Sequence, residues 1–218
     1  MIILKEGIIA GDFGMKVTYI KIRADFKYCE KGRFYRTFLI KEDAPLQEVG
    51  EFMVDIFGGT LEHYFLFRNK EMSFIAPSWL EMWNSFGTHK QVSFVDKKIC
   101  DLGDSFQFEY DTGDGWVFNC KVYKKREIKD YDKDDERAYG FVLDGKGMGI
   151  WEDNIGSLYA YLNGEIDKDY NLKDEERGIY KPWNFDIDKY SEFDDPLNLE
   201  DLNDTAMYFF PTLDDERL

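Results

Sequence analysis

The chain has 218 residues, 44% apolar and 17% aromatic, with 28 basic against 44 acidic side chains and a formal net charge of −16. A chain of this length can bury a sizeable core, and so aromatic a composition excludes a largely disordered polypeptide. The charge argues against wrapping nucleic acid or lying on an anionic membrane through bulk electrostatics.

No apolar run approaches the roughly 18 residues of a transmembrane helix. The opening Met1-Ile-Ile-Leu-Lys5 brings a charge by its fifth residue and no Ala-x-Ala site follows, which does not read as a signal peptide. A cytoplasmic protein is therefore expected. Cys29, Cys100 and Cys120 are far apart and form no Cys-x-x-Cys pair, which excludes a zinc ribbon and argues against a disulfide framework. The charge is uneven: residues 1–109 carry 14 basic and 16 acidic side chains, and residues 110–218 carry 14 and 28. Asp186 to Leu218 alone holds 11 acidic against 2 basic. This end is either a solvated acidic face or a handle for a partner.

In chain order, Met15 to Arg23 reads as a strand whose apolar parity slips at Tyr19-Ile20, the mark of a bulge or of burial on both faces. Phe34 to Ile40 reads as its hairpin partner across Lys31-Gly32. Leu46, Val49, Phe52, Met53, Ile56 and Phe57 recur at helical spacing, with Asp43 placed to cap the helix, Pro45 in its first turn and Gly58-Gly59 to end it. His63 to Arg68 reads as a short strand. Ser78 is placed to cap a helix in which Trp79, Leu80, Trp83 and Phe86 share a face.

The clearest pattern lies at residues 106–123. Phe106, Phe108 and Tyr110 alternate with polar residues before Asp111-Thr-Gly-Asp-Gly115, and Trp116, Phe118, Cys120 and Val122 alternate after it. This is a hairpin with one aromatic face, joined by residues that tolerate positive φ. Lys121 to Arg137 is dense in charge without apolar periodicity and reads as a flexible loop. Phe141 to Leu143 reads as a strand, Ser157 to Leu162 as a helix, and a last helix starts at Asn198 with Leu199, Leu202, Ala206 and Phe209 inward. The order predicts an α+β fold, a single compact domain with a mostly antiparallel or mixed sheet, the hairpin central and packed by helices.

Three features could carry chemistry. Asp111 and Asp114, three residues apart in a tight turn, can converge on a hard cation or share a proton. They can equally be turn residues chosen for their backbone. Glu152 and Asp153 can cap the following helix. Folded beside the turn, they would complete a four-carboxylate cluster whose mutual repulsion calls for a cation. His63, one of two histidines with His89, needs partners that spacing does not place. Trp116 reads as core, or else as the wall of a site beside the turn. Gly145-Lys-Gly-Met-Gly149 is neither a dinucleotide fingerprint nor a P-loop. The basic cluster from Lys121 to Lys129 is largely cancelled by Asp130 to Glu136, so direct nucleic-acid binding is not expected.

Phe108-Glu-Tyr-Asp-Thr-Gly-Asp-Gly-Trp116 resembles the signature of the plasmid pRiA4b ORF-3-like family, which typically reads Tyr-x-Tyr-Asp-Phe-Gly-Asp-x-Trp-x-His. Val142-Leu-Asp-Gly-Lys-Gly147 with Glu152-Asp-Asn-Ile-Gly156 is similar to its glycine loop and Glu-Asp-x-Gly-Gly segment. Phe193-Asp-Asp with Leu199-Glu-Asp-Leu-Asn203 is similar to its C-terminal region. This chain has Thr112, Phe118 and Ser157 where the pattern has an aromatic, a histidine and a second glycine. The resemblance implies a compact α+β domain over residues 15–205, with an N-terminal extension at 1–14 and an acidic tail at 206–218. It also implies a mobile-element setting and no established reaction.

The first of three readings is the expected function, and the other two are its alternatives. The first is a protein-interaction or accessory module whose acidic surface meets a basic protein partner. The second is a divalent-metal-dependent hydrolase using Asp111, Asp114, Glu152 and Asp153 with His63 nearby. The third is a small-ligand-binding protein lined by Trp116, Tyr110 and Tyr64. No cofactor is required by the first or third; the second requires a divalent metal on the acidic cluster.

Overall fold

A computed structural model describes residues 17–84, 90–128, 140–162, 193 and 195–208. Alternating apolar and polar residues build one eight-stranded sheet. Its strands are β1 (Val17–Phe26), β2 (Tyr35–Lys41), β3 (Phe65–Arg68), β4 (Met72–Ile75), β5 (Lys90–Ser93), β6 (Ser105–Tyr110), β7 (Trp116–Ile128) and β8 (Gly140–Lys146). The spatial order is β5-β4-β3-β6-β7-β1-β2-β8. Every neighbouring pair is antiparallel except β4 and β5. The helices are α1 (Leu46–Ile56), α2 (Pro77–Asn84), α3 (Ile155–Leu162) and α4 (Leu199–Tyr208). The fold is α+β with a mixed sheet, and the β6–β7 hairpin lies at its centre.

The hairpin's alternation places Phe106, Phe108, Tyr110, Trp116, Phe118 and Cys120 on one buried face. Trp116 is fully buried and packs on Phe26 at 5.6 Å between ring centroids. Phe118 lies on Phe57 at 4.0 Å. The parity slip in β1 is a register shift between Ile20 and Ile22 against β7. α1 lays Leu46, Val49, Phe52 and Met53 on this face. It comes close at Gly50, where an added Cβ would sit 2.0 Å from the Phe65 ring.

Several expectations are corrected. Asp43 does not cap α1: the N-cap is Pro45, with no side-chain bond, and the helix's first N–H is met by the Lys97 carbonyl at 2.8 Å. α2 starts at Pro77, one residue before Ser78. The strand expected from His63 starts at Phe65, leaving His63 in the preceding loop. Residues 121–128 are not loop but the end of β7, paired with β1 as far as Ile128, while β6 accompanies it only to Lys121. Pairing with β1 supplies what local apolar periodicity lacks. β4 and β5 had no expectation; each has four residues, too short to show a period. The Asn198 start of α4 is seen directly, its Oδ1 accepting the N–H groups of Glu200 and Asp201 at 3.2 and 3.3 Å. The extension at 1–14, residues 129–137, the side chains of Trp83, Phe86 and Ala206, His89, Phe209 and most of the acidic tail lie outside the described residues.

Two devices fix the loop between β8 and α3. Asn203 of α4 accepts the Val142 N–H at 2.7 Å and donates to its carbonyl at 3.1 Å, covering the outer edge of β8. Arg36 is fully buried, donating to the carbonyls of Ile56, Tyr35, Lys146 and Met148 at 2.8 to 3.2 Å. Burial pushes its guanidinium down to about 9. The cation sits at the C-terminal end of α1, where helix carbonyls favour positive charge. Among the described residues no helix is long and apolar enough to cross a membrane.

Candidate functional site

The end of α1, the β6–β7 turn and the loop before α3 meet at one corner. α1 closes at Gly58, which has φ of +75°, and the Gly59 N–H reaches the Val54 carbonyl at 2.9 Å. A Cβ on Gly59 would lie 2.6 Å from the Val54 side chain and 3.3 Å from Glu152 Oε1, so only glycine allows this approach. The next residue, Thr60, donates its backbone N–H and its hydroxyl to Glu152 Oε1 at 2.7 and 3.1 Å. Tyr110 donates to the same oxygen at 2.8 Å. Burial first, and this carboxylate second, push the Tyr110 phenol up to about 12, so it stays protonated and serves as a donor.

These three donors fix one oxygen of the carboxylate. Glu152 Oε2 is buried and has no hydrogen-bond partner among the described residues. It lies 3.7 Å from His63 Nε2. On the other side of the imidazole, Nδ1 is 3.7 Å from Asp111 Oδ1. Neither contact is a hydrogen bond. Together His63, Asp111 and Glu152 offer ligand atoms that all lie within 4.8 Å of one another.

Asp111 is held with φ of +48°, its Oδ1 accepting the N–H groups of Gly113 and Asp114 at 3.0 and 3.3 Å. Its own N–H reaches the Tyr64 carbonyl at 3.0 Å, tying the turn to the loop that carries His63. Asp153 lies at the rim, Oδ1 3.6 Å from His63 Nε2 and largely exposed. Asp114 lines the same concavity, but its Oδ2 accepts the Ile155 N–H at 3.0 Å and so caps α3. Burial pushes the Asp114 carboxyl up. Tyr110 supports the site from beneath. Trp116 is in the core, not in a site wall. Phe118, which stands where the family pattern has a histidine, is also core; the imidazole at this corner is His63.

The sequence singled out Tyr64 as a ligand-site wall, but not Trp79 in that role, nor Thr60. Tyr64 is half exposed and its ring centroid lies 4.4 Å from that of Trp79. These two, with Glu62, His63, Asp111, Thr112, Gly113, Asp114 and Asp153, enclose an open concavity of about 430 Å3. A tyrosine beside His63 was visible in the sequence, but its pairing with Trp79 depends on where α2 packs.

The sequence profile described as plasmid pRiA4b ORF-3-like protein matches residues 19–194. The chain belongs to the plasmid pRiA4b ORF-3-like family. Among solved structures, a protein of unknown function, MM3350, from Methanosarcina mazei Go1 is similar, with a TM-score of 0.56 and 15% identity. The alignment covers 79% of this chain and 96% of that one. At that identity the likeness speaks for the fold alone. No curated protein matches the chain. Within this pRiA4b ORF-3-like chain, the hairpin signature supplies Asp111 and Tyr110, and the Glu-Asp segment supplies Glu152.

Proposed function

We propose that this protein is a divalent-metal-dependent hydrolase, with one cation held by His63, Asp111 and Glu152. The observation that carries the reading is the bare, buried Glu152 Oε2 facing His63, while three donors fix its sister oxygen. A carboxylate oriented by second-layer hydrogen bonds, with one free oxygen aimed at an imidazole, is the usual arrangement of a metal ligand. Imidazole with two carboxylates suits zinc or manganese better than calcium, which prefers oxygen donors throughout. The separation of up to 4.8 Å requires the side chains to draw in by roughly an ångström to reach bonds of about 2.1 Å. A cation held by His63, Asp111 and Glu152 would supply Lewis-acid chemistry, lowering the pKa of a bound water enough for it to serve as a nucleophile.

Calorimetric titration of the metal-free protein with Zn2+, Mn2+, Mg2+ and Ca2+ tests this. One site per chain, tighter than about 100 μM and lost in Glu152→Gln and in Asp111→Asn, is expected. No binding, or binding unchanged in both variants, overturns the reading.

An interaction module with a basic partner is the second reading. It is supported by the described part of the acidic C-terminal region, where Asp195, Glu200 and Asp201 are all exposed. Pull-down with a basic bait before and after Asp195, Glu200 and Asp201 are neutralised separates it from the metal site, which these residues do not touch.

A further inference from the structure

The corner where His63, Asp111 and Glu152 meet has an aromatic wall as well. Tyr64 is half exposed and lines the concavity, and Trp79 backs it at 4.4 Å. The concavity of about 430 Å3 is wide enough for a side chain and open to solvent. Its charge is one-sided. A divalent cation would be balanced by Asp111 and Glu152, yet Glu62, Asp114 and Asp153 also line the space, and no lysine or arginine does so among the described residues. Glu62 and Asp153 alone would keep the site anionic with a divalent cation in place. Phosphate esters are repelled by such a surface, and cationic groups are concentrated on it.

Exposed aromatic faces beside carboxylates have one well-matched ligand chemistry. A guanidinium stacks flat on tyrosine or tryptophan through its delocalised plane while its N–H groups reach carboxylates; an ammonium does the second but stacks poorly. We propose that the concavity recognises an arginine side chain of a basic peptide, stacked on the Tyr64–Trp79 pair with its charge towards Glu62. The inference names the ligand class of the proposed metal site. It rests on that reading only for what occupies the adjacent cluster.

The probe is the blocked tripeptide acetyl-Gly-Arg-Gly-amide, titrated calorimetrically into the full chain with Mn2+ and again with EDTA. Its control is the same peptide with citrulline, which keeps the shape and removes the charge. The arginine peptide is expected to bind at least about tenfold more tightly than the citrulline peptide, with Tyr64→Leu weakening it about fivefold. Leucine retains apolar bulk over Trp79 and removes only the π face. Glu62→Gln is expected to weaken the same peptide and leave the Mn2+ titration unchanged. Equal affinity for the two peptides, no binding of either, or no effect of Tyr64→Leu in a folded variant overturns the proposal. Arginine-selective binding without any Mn2+ binding supports it and overturns the metal reading alone. Mn2+ binding without arginine selectivity does the reverse. Competition between Mn2+ and the peptide for one site also overturns it, because the guanidinium would then sit in the cluster rather than on the aromatic wall.

Discussion

Asp114 Oδ2 accepts the backbone N–H of Ile155 at 3.0 Å, so a residue of the central hairpin turn caps a helix that begins 41 residues later. The bond closes one of the orphan donors at the start of α3, and its negative charge lies at the positive end of the helix. It also sets the distance between the turn carrying Asp111 and the loop carrying Glu152. Asp114→Ala should cost about 1 kcal/mol, the usual worth of such a cap, and Asp114→Asn less, since the amide oxygen still accepts. Urea denaturation of the three proteins measures this. A silent alanine variant would show the cap to be idle. Both variants should keep the metal site, because His63, Asp111 and Glu152 remain.

What could be read from the residues and what could not divide along physical lines. The hairpin around Asp111 was legible because a period of two and a turn rich in Asp and Gly are local signals. α1 was legible because its apolar spacing and Gly58 are local too. Asp111 and Glu152 stood out as carboxylates in loops. Their meeting with His63 depends on how α1 ends, on Gly59 permitting close approach, and on Arg36 gathering carbonyls from α1, β2 and the glycine loop. Those are contacts between segments far apart in the chain, which no local pattern encodes. Thr60 looks like any loop threonine until Glu152 is placed beside it. The β7 extension past Lys121 was hidden for the same reason: its charged residues lack periodicity, and pairing with β1 decides the matter.

Trp116 gives a direct test of the core. It is fully buried against Phe26. Trp116→Ala should cost about 3–5 kcal/mol, as removal of a large buried ring leaves a cavity that neighbours only partly close. Trp116→Phe should cost markedly less, since it keeps most of the ring and leaves a smaller cavity. Chemical denaturation measures both. A loss below about 1 kcal/mol for the alanine variant would contradict this packing.

Arg36 links stability to the site. Its guanidinium serves four backbone carbonyls and has no carboxylate opposite it in those contacts. Arg36→Met preserves length but leaves these carbonyls without their donor in a dry environment. Each unsatisfied buried group costs about 1–3 kcal/mol, partly offset because no charge need be buried. A net loss of about 2–4 kcal/mol is expected. Where the variant still folds, Mn2+ affinity should fall as well, because the Lys146 and Met148 carbonyls that Arg36 holds lie in the segment leading to Glu152. A folded variant with unchanged metal affinity would mean that Phe57, whose carbonyl accepts the Ile150 N–H at 2.6 Å, fixes the loop without Arg36.

Asp55 supplies a pH dependence away from the site. It stands on α1, partly buried, with Oδ2 unpartnered among the described residues, and burial pushes its carboxyl up to about 6 from an ordinary 3.8. The native state therefore holds this proton more tightly than the unfolded chain does. Between these two values the native state binds the extra proton, so this group's contribution to stability falls as pH rises from about 4 to above 6. Asp55→Asn removes the burden of the charge. The variant should be about as stable as the parent near pH 4 and more stable at pH 7.5, by about 1 kcal/mol once the partial solvent exposure is allowed for. Urea midpoints across that range measure the gap. A gap that does not widen with pH would mean that Asp55 is solvated in the folded protein and carries no such burden.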